Sequence, residues 1–248
     1  MRVAALYDIH GNLPALEAVL EEVRRESVDA IVIGGDIFPG PLSIETLNLL
    51  LALNEPVRFL HGNCDRMVLE LAEGHDTDPI PADRRPAFDW FAKRLGPEHR
   101  SMLAGWPGTI RLRIAGIGEV FFCHATPRND TDIFTRLTPE DRLRPVFENL
   151  GAEVVVCGHT HMQFERTIGG VRVVNAGSVG MPFGRPGAYW VWLGPDVQMR
   201  RTDYDLTAAA ARVRVTHYPD AEEFASVNIL QPPTEDTMLE LFSTHDKW

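Results

Sequence analysis

Cysteine is scarce and unpatterned in this chain: Cys64, Cys123 and Cys157 are three residues in 248, with no C-x-x-C spacing. That excludes a disulfide framework, a thiolate zinc finger and a paired-thiol redox motif, and it fits a reducing cytoplasm. Long apolar runs are also missing. Residues 3–7 are cut off by Asp8, too short for a signal-peptide core, and nothing elsewhere approaches a membrane span. A soluble, untargeted, cytoplasmic protein with no membrane partner is expected. Positive charge is in short supply: 24 Lys and Arg against 35 Asp and Glu give a net charge of −11. Basic residues come only in pairs such as Arg24-Arg25, Arg84-Arg85 and Arg200-Arg201, so no extended nucleic-acid surface is expected, although a local cationic site for an anion is allowed.

What is present suffices for one core. With 44% hydrophobic residues the chain can bury a substantial interior, and single α/β domains reach this length. Residues 3–7 read as a buried strand emptying into Asp8-Ile9-His10-Gly11-Asn12. Pro14 suits the first turn of a helix, and Leu16, Val19, Leu20 and Val23 recur at helical spacing. The unit then repeats: a strand at 30–33 ends at Gly34-Gly35-Asp36, a helix follows at 44–53, and a strand at 57–60 ends at His61-Gly62-Asn63-Cys64-Asp65. Such alternation implies a largely parallel sheet, whose ligands collect outside the carboxyl ends of its strands. Residues 66 to about 106 are predicted to be a small helical excursion. Strands at 110–114, 119–123, 154–157, 164–168, 171–175 and 189–193 follow, with one helix near 139–150. From about Leu206 the tail starts as a helix and then reads as irregular and acidic, with Lys247 its only basic residue after Tyr218.

Chemistry gathers at the ends of these strands. Asp8 and His10 are two apart, so in an extended segment they share a face and can chelate one ion; His159 and His161 repeat the arrangement. Asp36 and Asn63 add oxygen donors, and His124 adds an imidazole. This mixed oxygen and nitrogen set suits manganese, iron, zinc or similar ions better than calcium. Two divalent ions held by two carboxylates keep a positive charge of about two, which attracts phosphate and acidifies water.

The order D-x-H, G-D, G-N-x-D, H, G-H-x-H resembles the calcineurin-like metallophosphoesterase superfamily, over roughly residues 1–180. Gly62-Asn63-Cys64-Asp65 stands where protein phosphatases carry G-N-H-[DE], and Asn175-Ala176-Gly177-Ser178-Val179-Gly180 resembles the N-P-G-S-V motif of the small prokaryotic phosphodiesterase branch. The resemblance implies an α/β fold: a four-layer αββα sandwich of two mixed sheets flanked by helices. It would span residues 1–205, the helical excursion included, with 206–248 as an acidic C-terminal extension. It further implies Asp8, His10, Asp36 and His161 on one divalent metal, Asp36 bridging, and Asn63, His124 and His159 on the second. Manganese is favoured, with iron, zinc or nickel as alternatives. The implied activity is hydrolysis of a small phosphoester, a diester first, by a hydroxide bridging the metals. Asp36, Asn63 and His124 would act through the metals, with no protein nucleophile. A phosphomonoesterase or nucleotide pyrophosphatase at the same centre, and a non-catalytic protein-binding scaffold of the same fold, are the alternatives.

Cys64 departs from the family pattern, replacing a histidine that in many relatives contacts phosphate, so general-acid assistance is in doubt. Cys64 is read as a small residue beside the site rather than a nucleophile, and Asp65 as a carboxylate that orients its neighbours. Asn12 has two readings, a helix cap or a residue near the metals. Arg128 and Arg185 are candidates to reach a substrate phosphate, against the plainer reading of solvated arginines. Oligomeric state is left open.

Overall fold

Alternation along the strands decides the layers. In β1 (Val3–Leu6) and the residue after it, Val3, Ala5 and Tyr7 point to one side and Ala4 and Leu6 to the other. All five are fully buried, which requires cover on both faces. The computed structural model, which describes residues 1–245, supplies that cover with two five-stranded sheets packed face to face and helices outside them.

The first sheet is built from β1, α1 (Leu13–Glu26), β2 (Ala30–Gly34), α2 (Ser43–Leu51) and β3 (Val57–Leu60), its three strands parallel. Leu16, Val19, Leu20 and Val23 of α1 pack on Ala4, Leu6, Ile31 and Ile33. The predicted helical excursion follows as α3 (Asn63–Glu73), α4 (Arg85–Ala92) and α5 (Pro97–Ala104). The second sheet uses β4 (Thr109–Ile114), β5 (Gly118–Cys123), β6 (Val154–Cys157), β7 (Gln163–Ile168) and β8 (Val171–Ala176), in the order β4-β5-β6-β8-β7. Helix α6 (Glu140–Phe147) covers its outer face through Leu143 and Phe147.

Between the sheets lie Val3, Ala5, Tyr7, Val32, Phe122, Val156 and Val174. The Tyr7 hydroxyl crosses that layer and donates to the Val156 carbonyl at 2.9 Å, which satisfies a polar group that would be costly to bury unpaired. The chain then returns to the first sheet as β9 (Ala188–Leu193) and β10 (Val197–Thr202), giving the order β10-β9-β1-β2-β3. The four-layer αββα sandwich expected from the sequence is the observed fold, and both sheets are mixed.

Two expectations need correction. β10 was not anticipated, because Gln198, Arg200 and Arg201 hide its alternation; it is an edge strand, where charge is normal. Arg200 lays its guanidinium near the rings of Trp190 and Trp192 and pairs with Glu26 of α1, so it covers apolar surface while remaining ionised. The tail, expected to turn irregular after its first helix, is instead largely helical. After α7 (Leu206–Arg214) come α8 (Ala221–Glu223), a π-helical segment Phe224–Leu230, and α9 (Glu235–His245). Tyr218, Ala221, Phe224, Ala225 and Ile229 bury themselves against Ala209, Ala210 and Val213 of α7 and Ala87 of α4. Acidic residues such as Glu222 and Glu223 stay on the exposed side, which is why composition alone suggested a loose segment.

Candidate metal centre

Each candidate ligand lies just beyond a strand's carboxyl end: Asp8 and His10 after β1, Asp36 after β2, Asn63 after β3, His124 after β5, His159 and His161 after β6. The loops after β1 and β2 continue the ladder, with backbone bonds from Asp8 N to Gly35 O (3.1 Å), His10 N to Asp36 O (2.9 Å) and Gly11 N to Ile37 O (3.0 Å). Five of the seven candidate ligands hold positive φ: Asp8 53°, His10 44°, Asp36 55°, His159 68° and His161 57°. For side-chain-bearing residues that region is sparsely populated, and it persists only where surrounding contacts overdetermine it.

The seven side chains converge. His161 Nε2 lies 3.3 Å from Asp8 Oδ1 and 3.4 Å from His10 Nε2. His124 Nε2 is 3.0 Å from Asn63 Oδ1 and 3.5 Å from Asp36 Oδ2, and its ring packs edge-on to His159 with centroids 5.1 Å apart. Two groups could each hold a metal ion, Asp8/His10/His161 and Asp8/Asp36/His124. Backbone carbonyls fix two of the rings: Gly34 O faces His124 Nδ1 at 2.9 Å, and Met181 O faces His161 Nδ1 at 2.7 Å. That leaves each Nε2 turned toward the carboxylates, the arrangement ligating histidines favour.

Electrostatics test how this cluster would suit a cation. Asp8 Oδ1 is buried without a well-formed hydrogen bond, an expensive state for an ionised oxygen unless a cation faces it. Burial raises the carboxyls of Asp8 and Asp36, yet the imidazoles around them outweigh it and hold both below the usual carboxylate range. Burial pushes His10 and His159 down to about 4, so both rings are neutral and able to donate a lone pair. The donor set, the orphaned oxygen and the burial all fit divalent cations.

Close approach requires glycine at two points. A Cβ at Gly62 would strike the Asp36 carboxylate, and one at Gly158 would strike that of Asp8. Asp65 holds the loops together from beneath: its carboxylate accepts N–H bonds from Asp36 (2.8 Å), Phe38 (3.1 Å) and Gly62 (3.0 Å). Burial and the neighbouring Asp36 push it up to about 7. Cys64 donates its backbone N–H to Asp36 Oδ1 at 2.9 Å, while burial and Asp36 push its thiol well up. A neutral thiol is a poor nucleophile.

Asn63 and His124 come from different sheets and are aligned by a clamp. Arg66, one turn along α3 from Asn63, bonds both carboxylate oxygens of Asp130 (2.8 and 3.0 Å), in the loop after His124. Burial raises the Asp130 carboxyl, but His61 at 3.6 Å and Arg66 outweigh it and hold it far below the usual range. A depressed carboxylate contributes stability above its unfolded pKa of about 3.9 and loses it as pH falls toward the folded value. Asp130→Asn is therefore expected to lower unfolding free energy at pH 7, with the gap to the parent closing below about pH 4. Urea unfolding of both proteins across that range checks this; a gap independent of pH would refute the clamp.

The remaining sequence candidates separate. Asn12 caps α1 by accepting from Ala15 N (3.3 Å) and ties the site loops by donating to Gly180 O (2.9 Å), but it does not line the cavity over the candidate ligands. Arg128 lines that cavity and pairs with Asp132 at 2.8 Å. Arg185 is exposed and outside it. The cavity, about 650 Å³, opens over His10, Asp36, Asn63, His159 and His161. Its outer wall includes Tyr218, Phe224 and Asn228, which sequence reasoning missed because they lie in the segment taken as irregular and match no motif.

Residues 1–193 match the calcineurin-like phosphoesterase superfamily domain. The uncharacterised protein MJ0912 of Methanocaldococcus jannaschii is 29% identical over 241 residues, covering 88% of this chain and 94% of that one. A symmetrical bis(5'-nucleosyl)-tetraphosphatase of Vibrio cholerae is 31% identical over 108 residues, 39% of this chain and 40% of that protein. The crystal structure of a metallophosphoesterase from Sphaerobacter thermophilus, 25% identical, superimposes with a TM-score of 0.72 over 92% of this chain and 99% of that one. The motifs, the two-sheet sandwich and these matches agree: the chain belongs to the calcineurin-like phosphoesterase superfamily.

Proposed function

We propose that the protein is a phosphodiesterase that uses two divalent metal ions. The observation that carries this is the position of Asp36, whose Oδ2 lies 3.7 Å from His10 Nε2 and 3.5 Å from His124 Nε2. It stands between His10 and His124, as a bridging carboxylate would, while Asp8 is the residue that the two three-residue groups share. Asp8, His10, Asp36 and His161 would hold one ion, and Asp36, Asn63, His124 and His159 the other, with manganese first and iron, zinc or nickel as alternatives. When bound, such ions would supply an acidified water as nucleophile and positive charge for the phosphoryl oxygens. The chain's own contribution is to fix the ligands from below through Asp65 and to keep the His10 and His159 rings neutral by burial, while the carboxylates of Asp8 and Asp36 pull the His124 and His161 rings toward the protonated form that a bound cation would displace.

The preference for a diester rests on charge. Around the cavity Asp78, Asp132 and Asp220 face Arg84 and Arg128, so outside the metals there is no surplus of positive charge. A singly charged diester is less disfavoured there than a doubly charged monoester or the longer anion of a dinucleoside polyphosphate. Cys64 also offers only a weak proton donor to a leaving group. Three free thiols fit a reducing cytoplasm. Manganese-loaded protein is expected to hydrolyse bis(p-nitrophenyl) phosphate with higher kcat/KM than p-nitrophenyl phosphate. A strong monoester preference would overturn the diester assignment, and absence of metal-dependent turnover on either would favour a binding scaffold.

A further inference from the structure

The cavity above the ligands is far larger than a phosphate requires. At about 650 Å³ it lies within the range of about 300–1,000 Å³ typical of sites that enclose a whole small molecule. Beside the polar side chains of the cluster, its lining carries Ile80, Phe88, Tyr218 and Phe224. Tyr218 is held edge-on between Trp90 (5.7 Å) and Phe224 (6.4 Å), so this wall is a fixed aromatic surface. Tyr218 and Phe224 lie beyond the matched domain, which ends at residue 193.

One polar group interrupts that wall. Asn228, on the π-helical segment, lines the cavity with only 7% of its surface exposed. Among the described residues its carboxamide has no hydrogen-bond partner. Its amide atoms are not among the buried unpaired ones, so they open to the cavity and are free to meet a ligand there. A carboxamide presents a donor and an acceptor side by side, the pattern that matches the edge of a purine such as adenine. An acyl chain would leave it unsatisfied, and a bare sugar would leave the aromatic wall without a flat partner. The cavity's mixed charge gives no track for a chain of phosphates.

We propose that the cavity formed by Ile80, Phe88, Tyr218, Phe224 and Asn228 receives the nucleoside part of a single-nucleotide phosphoester, its base against the aromatic wall and its edge on Asn228. The inference rests on the phosphoester assignment for its reaction, though binding of the base does not. Two esters with the same leaving group separate the terms: p-nitrophenyl adenosine 5'-phosphate and methyl p-nitrophenyl phosphate, compared on the manganese-loaded full chain. The nucleoside ester is expected to have the higher kcat/KM. Asn228→Ala should cut that preference about tenfold, the scale of one lost hydrogen-bonding group. Ile80→Trp, on an irregular segment outside any helix or strand, fills the cavity and should cut it as well. No preference in the parent, or a preference both variants retain, overturns the proposal. Equilibrium dialysis with adenosine alone decides independently of turnover. Adenosine binding that both variants weaken upholds the nucleoside site even if neither ester is cleaved, a result that would instead sink the hydrolase assignment. Failure of adenosine to bind overturns the nucleoside site.

Discussion

Asp36→Asn is expected to fold and yet lose phosphoester hydrolysis by more than the about 10–100-fold typical of residues that merely steady a ligand. The substitution preserves shape and leaves an oxygen that can still accept the Cys64 N–H, so backbone geometry changes little. What disappears is one of the two carboxylate charges in the cluster, at the point between His10 and His124. With it goes most of the electrostatic reason for two cations to sit close together. Metal analysis of the purified variant should find fewer ions per chain than in the parent. Parent-level metal content together with activity within tenfold of the parent would remove Asp36 from the proposed centre.

Asp65→Asn should produce the next largest effect, by a different route. Asp65 contacts no substrate space; its two oxygens accept three backbone N–H groups, from Asp36, Phe38 and Gly62. An amide replaces one acceptor oxygen by a donor, which then faces N–H groups in a buried site. Each N–H left unpaired costs about 1–3 kcal/mol. The Asp36 loop and the Gly62 turn would then drift apart, and metal affinity should fall about 10–100-fold. Thermal unfolding and metal titration should therefore move together. Loss of stability with unchanged metal affinity would show that Asp65 supports the fold but does not set the site.

Much of this was legible because the chemistry sits where the chain repeats itself. The strand-loop-helix units at the start announce a parallel sheet, and the candidate ligands follow the strand ends, so the strand-end positions of Asp8, His10, Asp36 and Asn63 could be read from the sequence. His124, His159 and His161 were findable for the same reason. What stayed hidden lacks a local signature. β10 carries arginines on a sheet edge, and its pairing with β9 is a fact about position rather than sequence pattern. Tyr218, Phe224 and Asn228 become cavity residues only because the last helices fold back onto α4, through contacts that join residues more than a hundred positions apart. Nor does any spacing rule reveal that carbonyls at Gly34 and Met181 aim the rings of His124 and His161.

The left-handed backbone at five candidate ligand residues has one more implication. Loops pinned in that conformation by cross-loop hydrogen bonds have little freedom to widen or contract around a guest. At the proposed centre the polypeptide would then set the bite before any ion arrives, so cations of differing radius would meet an unyielding template and discrimination among them would become a matter of fit.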